Sequence, residues 1–201
     1  MTSPFLDTLT GQNLAPPPIW LMRQAGRYLE DYRAVRASEP DFISFCLNPA
    51  KAIDVTLQPV NKFDFDAAII FSDILMVPWA LDRNVRFIAG EGPKLDPMET
   101  GREISENAIA SMTSRLGPVA DAISGCRQAL ADDKVLIGFA GAPWTIITYL
   151  LEGGSSRDFA VARRWMWDND KVFDHLLRLI SDATIEFLDL QAQAGADALM
   201  L

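Results

Sequence analysis

Residues 135–145 read VLIGFAGAPWT, a short apolar run that ends in glycine and proline. A continuous apolar run of this length is typical of a strand buried on both faces. Gly141 permits a tight turn, and Pro143 suits the first turn of a helix. The stretch therefore predicts a buried strand followed directly by a helix, which is the repeating unit of an α/β protein.

Three other apolar runs have the same character. They lie at residues 19–22, 67–71 and 198–201, and each predicts a buried strand. Before the first of them, residues 1–17 are rich in turn and breaker residues, which predicts an irregular N-terminal arm. Residues 85–88 predict part of a hairpin in an insertion rich in glycine and proline.

Helical patterns separate these strands. Asn48-Pro49 is typical of a helix start. Apolar residues at steps of three and four predict helices from Ile109 to Leu130, interrupted at Gly117-Pro118, and a long helix that stops at Gly195. Alternating strands and helices predict a parallel sheet, so we expect residues 18–201 to form the first half, about four β/α units, of a (β/α)8 TIM-type barrel. An open doubly wound sheet is the alternative, although no GxGxxG follows the first strand.

Composition excludes several classes of protein. With 201 residues, 49% of them hydrophobic and 22% charged, the chain can bury a sizeable core. Its 27 acidic and 18 basic residues give a net charge of −9, which disfavours nucleic acid as a partner. No apolar run reaches the ~20 residues of a membrane helix, and the first twelve residues do not resemble a targeting signal. We expect a soluble cytoplasmic protein.

Cysteine and histidine are scarce. Cys46 and Cys126 lack CxxC spacing, which favours buried free thiols in a reducing compartment over a disulfide or a metal site. His175 is the single histidine, and by itself it cannot form a zinc centre or a Ser-His-Asp triad.

A cationic segment follows the first predicted strand. Arg23, Arg27, Arg33 and Arg36 lie within fourteen residues. The planar guanidinium group binds carboxylate or phosphate through two hydrogen bonds, and loops that follow strands carry ligands in α/β folds. The alternative is a solvated helix face on which these arginines pair with nearby acidic residues.

Two more strand ends carry polar chemistry. Asp73 follows the second predicted strand, where it is either a helix cap or a carboxylate at the mouth of an apolar site. Tyr149 lies beyond Pro143, and it is either a core tyrosine or a hydrogen-bond donor to a ligand. Trp144 is better explained by packing than by chemistry.

Three segments together resemble the motifs of the uroporphyrinogen decarboxylase family. They are residues 22–29 (MRQAGRYL), 66–75 (DAAIIFSDIL) and the stretch from Gly138 to Glu152. The resemblance covers residues from about 17 to 201, in the family's order and spacing. Two positions depart from it, because Glu30 stands where proline is common and Asp82 where glycine is common.

The resemblance implies an enzyme of haem biosynthesis that acts without cofactor or metal, usually as a homodimer. Such an enzyme removes the carboxyl groups of the four acetate side chains of uroporphyrinogen III and gives coproporphyrinogen III. The implied substrate-binding residues are Arg23, Gln24, Ala25, Gly26, Arg27, Arg36, Asp73 and Tyr149.

Two of these residues are also implied to be catalytic. Asp73 would accept the pyrrole N–H groups and stabilise the cation that takes up the electrons left by carbon dioxide. Arg23 would hold a carboxylate and take part in proton delivery, although an arginine with its very high pKa is a poor general acid.

Two further hypotheses stay open at this point. A half-barrel that binds tetrapyrrole without catalysis is one of them, because the sequence stops before four more strand–helix units of the implied barrel. A corrinoid-dependent methyltransferase of the same superfamily is the other, although one histidine and two cysteines provide no matching zinc-ligand spacing.

Overall fold

The computed structural model describes residues 3–201, in which helices and strands alternate along most of the chain. The helices are α1 (Pro4–Leu9), α2 (Glu30–Ala37), α3 (Phe42–Cys46), α4 (Pro49–Phe63), α5 (Met76–Ala80), α6 (Glu106–Arg115), α7 (Gly117–Ala129), α8 (Pro143–Glu152), α9 (Ala160–Asp168) and α10 (Asp170–Gln193). The strands are β1 (Ala67–Ile69), β2 (Arg86–Ile88), β3 (Gly92–Lys94), β4 (Val135–Phe139) and β5 (Ala198–Met200).

Contacts divide the described chain into two compact units. Unit 1 consists of the residues up to Ser72, Pro118–Phe139 and Leu190–Met200. Unit 2 consists of Asp73–Gly117 and Ala140–Asp189, together with Leu201.

Unit 1 contains a parallel sheet in the order β1-β4-β5. Ala67 is paired with Val135 in the β1–β4 ladder, and Ile137 is paired with Ala198 in the β4–β5 ladder. The helices that separate these strands in sequence make parallel pairing feasible, because parallel neighbours need long crossover connections. The predicted strands at 67–71, 135–139 and 198–201 are thereby confirmed, with β1 and β5 shorter than predicted.

One face of this sheet is covered by the N-terminal residues. Ala67, Ile69, Val135 and Ile137 form a buried cluster with Phe5 of α1. The ring of Trp20 meets the ring of Phe5 edge-on, at 6.1 Å between centroids. The prediction of an irregular arm over residues 1–17 is therefore wrong for Pro4–Leu9, where proline at the first turn starts a helix whose buried Phe5 packs on the sheet.

The predicted strand at 19–22 is also wrong. This segment is extended, but the sheet does not include it. The Ile19 N–H donates to Asp66 Oδ2 at 2.6 Å, and the Asp66 N–H donates to the Ile19 carbonyl at 2.9 Å. A side chain thus replaces part of the ladder. Of the four apolar residues in this segment, Trp20 packs against Phe5, and the other three are exposed.

Helices α2, α3 and α4 pack around Phe71. The Phe71 ring lies 4.6 Å from the ring of Phe45 and 5.8 Å from that of Tyr32, between centroids. The Phe71 N–H donates to Thr56 Oγ1 of α4 at 2.9 Å. The N-terminus of α4 is capped by Asn48, whose side chain accepts a hydrogen bond from the Lys51 N–H, as the sequence predicts.

Unit 2 contains the antiparallel hairpin of β2 and β3, so the predicted hairpin is confirmed. After the hairpin the chain runs along the end of α8, where Leu95 N–H donates to the Gly153 carbonyl and Met98 N–H to the Leu150 carbonyl. Gly153 has a φ of +72°, and a Cβ there would lie 3.2 Å from the Leu95 carbonyl oxygen. A side chain at this position would be both strained and crowded.

The structure explains why glycine suits position 82. Asp82 has a φ of 60°, in the left-handed region that favours glycine. Its carboxylate forms an ion pair with Arg115, whose guanidinium lies 4.8 Å from the centroid of the Trp79 ring. Aspartate tolerates this backbone conformation better than most residues, and the ion pair holds it there.

Gly138 of β4 offers a test of the packing in unit 1. A Cβ at Gly138 would lie 2.7 Å from Gln191 Oε1 and 3.0 Å from Leu199 Cδ2. We expect Gly138→Ala to lower the free energy of unfolding by about 1–3 kcal/mol, measured by urea denaturation, because the Gln191 side chain would have to move and is held by hydrogen bonds to both main-chain groups of Phe139. The matched control is Gly117→Ala, where a Cβ would meet nothing within 4 Å. Equal effects of the two substitutions would contradict the packing at Gly138.

Candidate functional site

The predicted cationic loop lies on the surface of unit 1. Arg23 and Arg27 are exposed, and within residues 3–201 neither guanidinium group forms an ion pair or a hydrogen bond. Arg33 is used differently, because its Nη1 donates to the carbonyls of Arg27 and Tyr28 at 2.8 and 3.4 Å. Arg33 therefore holds the loop, and Arg23 and Arg27 are left available to an anion.

Arg36 is engaged in the structure of its own helix. Its Nη1 donates to the Glu39 carbonyl at 2.9 Å, just after the end of α2, and its guanidinium lies 5.8 Å from the centroid of the Phe45 ring. A cation near the last carbonyls of a helix is favourable. The predicted contribution of Arg36 to a cationic wall would compete with these contacts.

The middle of the loop is tightly built. Gln24 is buried, Ala25 and Gly26 are half-buried, and the Tyr28 hydroxyl donates to the Gln24 carbonyl. A Cβ at Gly26 would lie 3.3 Å from the Tyr28 ring, so the missing side chain makes room for that ring. Packing of the Tyr28 ring therefore explains glycine at position 26 without a ligand.

Asp73 belongs to unit 2 and lies after β1 in the chain. Its Oδ1 accepts the Leu75 N–H at 2.8 Å, and Met76 N–H donates to its carbonyl at 3.2 Å. No residue in the described part of the chain donates to Oδ2. Burial raises the pKa of Asp73 to about 6, and the hydrogen bond from Leu75 opposes that shift.

The alternative role of Asp73 as a helix cap is not what the structure shows. The residue preceding α5 is Leu75, and no side chain caps this helix. The Asp73 carboxylate closes a turn of its own instead. It is a desolvated carboxylate with one free oxygen, which is suited to bind a cation or an N–H group.

Tyr149 lies on α8, also in unit 2. It is half-buried, and its hydroxyl has no hydrogen-bond partner among residues 3–201. The beginning of α8 lies against the segment after Asp73, because a Cβ at Gly141 would be 3.1 Å from the Cβ of Ile74. Trp144 packs on Phe173 with ring centroids 6.0 Å apart, as expected of a packing residue.

Sequence reasoning missed the structural roles of three residues that organise these segments. Arg33 supports the cationic loop, and Glu152 Oε1 accepts the N–H groups of Val161 and Ala162 at the start of α9. Gln191 bonds both main-chain groups of Phe139 at 2.9 Å. Gly138 could have indicated that a side chain such as that of Gln191 lies against β4, because a glycine inside a strand often marks a close approach by another group.

The two cysteines are buried and unbridged in the described part of the chain, as the sequence predicts, and His175 lies on a helix surface. His175 is exposed on α10 and borders a groove of about 280 Å³ against Met112 of α6, which none of the predicted site residues lines. Within residues 3–201, Cys46 and Cys126 are buried and form no disulfide, and burial raises the pKa of Cys126 to about 11. Within residues 3–201 no group of histidine, cysteine and acidic side chains is arranged to hold a metal ion.

Fold and loop chemistry together define the class: an α/β protein of the parallel barrel type, with polar residues at its strand ends. The family model "Uroporphyrinogen decarboxylase (URO-D)" matches residues 1–201. The chain therefore belongs to the uroporphyrinogen decarboxylase family.

Curated relatives agree with this assignment. The chain is 48% identical over 198 residues to "Uroporphyrinogen decarboxylase" of Rhodospirillum rubrum, a match that covers 98% of the chain and 57% of the relative. It is 52% identical over 200 residues to the protein of the same name from Caulobacter vibrioides, covering 100% of the chain and 56% of the relative. The chain thus spans little more than half the length of these relatives.

A solved structure confirms the fold class. A methyltransferase from Methanosarcina mazei matches with a TM-score of 0.78 at 17% identity, over 99% of the chain and 58% of the methyltransferase. At this identity the likeness concerns the fold alone. In the described residues no helix is both long enough and apolar enough to cross a membrane.

The raised pKa of Asp73 predicts how its charge affects the stability of the fold. Burial raises the pKa of its carboxyl group to about 6 in the folded chain, against an ordinary value of 3.8. Stability contributed by this group therefore rises as the pH falls from above 6 towards 4, because the folded state takes up the proton first. We expect Asp73→Asn to raise the free energy of unfolding at pH 8 by on the order of 2 kcal/mol, and this gain to shrink towards pH 4.

Denaturant titrations at pH 8, 6 and 4 measure this effect. Asparagine keeps an oxygen that can accept the Leu75 N–H, so the comparison isolates the charge. Asp174→Asn is the control, because it removes an exposed carboxylate from the same unit. A gain that does not depend on pH, or one shared by the control, would contradict the desolvation of Asp73.

Proposed function

We propose that the protein decarboxylates the four acetate side chains of uroporphyrinogen III to give coproporphyrinogen III. The family and the names of the curated relatives support a carboxy-lyase acting on a tetrapyrrole. The observation that carries the proposal is Asp73, whose desolvated carboxylate has an unengaged oxygen and a main chain fixed by a turn.

When the bond to the carboxylate breaks, its electron pair must be accepted by another part of the substrate. A proton adds to a pyrrole ring and gives a cation; the bond to the carboxylate then breaks, and its electron pair moves into that cation. Carbon dioxide leaves, and a proton adds to the exocyclic carbon as the ring gives one up. Each acetate therefore takes up one proton and loses one carbon dioxide, leaving a methyl group.

In this proposal Asp73 accepts the pyrrole N–H groups and stabilises the cation. A fixed carboxylate in a site of low dielectric is effective because it needs no reorganisation during the reaction. Its charge is needed, so activity falls as the pH drops below the pKa of about 6.

The arginine loop binds the carboxylates that are not reacting. Arg23 and Arg27 supply charged forks for this, and Gln24, Ala25 and Gly26 line the loop between them. Arg23 also holds the reacting carboxylate and takes part in delivering the proton. Arg36 adds positive charge from α2, and Tyr149 donates a hydrogen bond from α8.

We further infer a cytoplasmic homodimer that needs no cofactor. Within residues 3–201, Cys46 and Cys126 are buried and form no disulfide, which suits a reducing compartment. The homodimer rests on the resemblance to the family. Native mass measured with the activity assay tests it, and a monomeric mass in an active preparation would overturn it.

Turnover tests the part of Asp73. Purified protein is incubated anaerobically with uroporphyrinogen, and coproporphyrinogen is measured by chromatography. We expect Asp73→Asn to lower turnover by about a hundredfold or more while the fold is retained, because it removes the charge that stabilises the cation. Asp174→Asn serves as the control. Near-normal turnover of Asp73→Asn would refute the assigned part, and no product from the unsubstituted protein would refute the proposed activity of this chain.

Binding tests the two arginines. Lysine keeps the positive charge but loses the bidentate fork, so we expect Arg23→Lys and Arg27→Lys each to weaken binding of the octacarboxylate uroporphyrin by roughly tenfold. Quenching of porphyrin fluorescence measures the dissociation constant. Arg102→Lys, an exposed arginine in unit 2, is the control. An unchanged constant in the two loop variants would count against their part in binding.

A further inference from the structure

The edge of β1 that faces away from β4 is completed by a side chain. Gln24 Nε2 donates to the Ala67 carbonyl at 2.7 Å, and Gln24 Oε1 accepts the Ile69 N–H at 3.3 Å. In a parallel ladder one residue bonds the carbonyl and the N–H of two residues that flank its partner. The Gln24 side-chain amide therefore bonds β1 in the same pattern as the main chain of a residue in a neighbouring parallel strand.

This arrangement leaves no free amide on Gln24 for a ligand. The side chain is buried, with 2% of the residue exposed, and both its oxygen and its nitrogen are bonded to β1. The Gln24 carbonyl accepts from the Tyr28 hydroxyl. The Gln24 side chain can therefore affect ligand binding only by holding the conformation of the arginine loop.

The extended segment that leads into the loop is held at its other end as well. Asp66 binds Ile19 through two hydrogen bonds, and Gln24 binds β1 five residues later. Arg23 precedes Gln24 directly, and Arg27 follows it by three residues. The two unpaired cations thus start from a fixed point, and ordering them around an anion costs less conformational entropy.

We propose that Gln24 is a positioning residue, which fixes the arginine loop by acting as a strand surrogate on β1. The proposal rests on the proposed function, in which Arg23 and Arg27 bind substrate carboxylates. Glutamine is required because the site needs one donor and one acceptor in a single plane. Glutamate as a carboxylate has no donor for the Ala67 carbonyl, and methionine has neither group.

Limited trypsin digestion tests the loop without any ligand. Trypsin cleaves after arginine, and Arg23 and Arg27 are exposed. We expect Gln24→Met to speed cleavage after these two residues by about tenfold, as the loss of a buried hydrogen bond would. Cleavage after Arg86 and Arg102 in unit 2 should not change, and it reports global unfolding. Gln128→Met removes an exposed glutamine of α7 and is the control.

Rescue by pH separates positioning from a general loss of stability. In Gln24→Glu, a protonated carboxyl group has one donor and one acceptor, like the amide it replaces. At pH 8 the carboxylate repels the Ala67 carbonyl and draws the side chain away from β1, so we expect the Ile69 N–H of this variant to exchange faster than in the unsubstituted protein. Its relative protection should return towards pH 5, where the carboxyl group is protonated and can donate to the Ala67 carbonyl. Ile70 N–H, which donates to the Ile137 carbonyl at 3.0 Å, is the internal reference.

Titration with uroporphyrin then connects the loop to the ligand. We expect Gln24→Met to weaken binding by about tenfold although both arginines are present. Unchanged cleavage after Arg23 and Arg27 would overturn the proposal, and so would equal affinities of Gln24→Met and the unsubstituted protein. If the unsubstituted protein binds no uroporphyrin, the proposed function fails for this chain, and cleavage and exchange still decide whether Gln24 holds the loop.

Discussion

Short parallel strands leave buried peptide groups that must find hydrogen-bond partners, and unit 1 depends on how they do so. β1 has three residues and β4 has five, so their ladders end while the chain is still buried. An unpaired buried N–H or carbonyl costs about as much as a lost hydrogen bond. Here side chains take over, and those that bond main-chain groups of the sheet or its neighbours are Gln24, Thr56, Asp66, Gln191 and Asp197.

These side-chain bonds replace regular structure where a loop must leave the sheet. Gln191 bonds Phe139, the last residue of β4, and Asp197 accepts the Leu136 N–H while its own N–H donates to the Leu136 carbonyl. A side chain can satisfy a peptide group without requiring a further strand in register. The loops can therefore depart from the sheet in other directions, and their first residues stay fixed.

Unlike these main-chain groups, the Asp73 carboxylate is only partly hydrogen-bonded. One of its oxygens is hydrogen-bonded and the other is not, and burial raises the pKa to about 6. A carboxylate left in this state costs stability, which is expected where charge is needed for chemistry and not for folding. Two carboxylates that serve structure differ from it: Asp41 and Glu103 accept several hydrogen bonds, and these lower their pKa values although burial opposes the shift.

Much of the sheet could be predicted from the sequence because its strands are unbroken apolar runs, as β4 is. The same signal was misleading at 19–22, where Trp20 packs against Phe5 and the hydrogen bonds come from Asp66. No periodicity shows such side-chain bonds. The motifs likewise identify the candidate residues, but they do not show that, within residues 3–201, Arg33 and Arg36 bond carbonyl groups and Arg23 and Arg27 do not.

That difference among the arginines bears on how a chain with a net charge of −9 could bind a polyanion. Net charge governs attraction at long range, and salt screens it over about 10 Å. Affinity at contact depends on which cations are free. Arg33 and Arg36 already satisfy carbonyl groups of their own segment, so a ligand would have to compete for them. Arg23 and Arg27 have no such partners in the part of the chain that the structure describes, which makes their placement more important for anion binding than the sum of the charges.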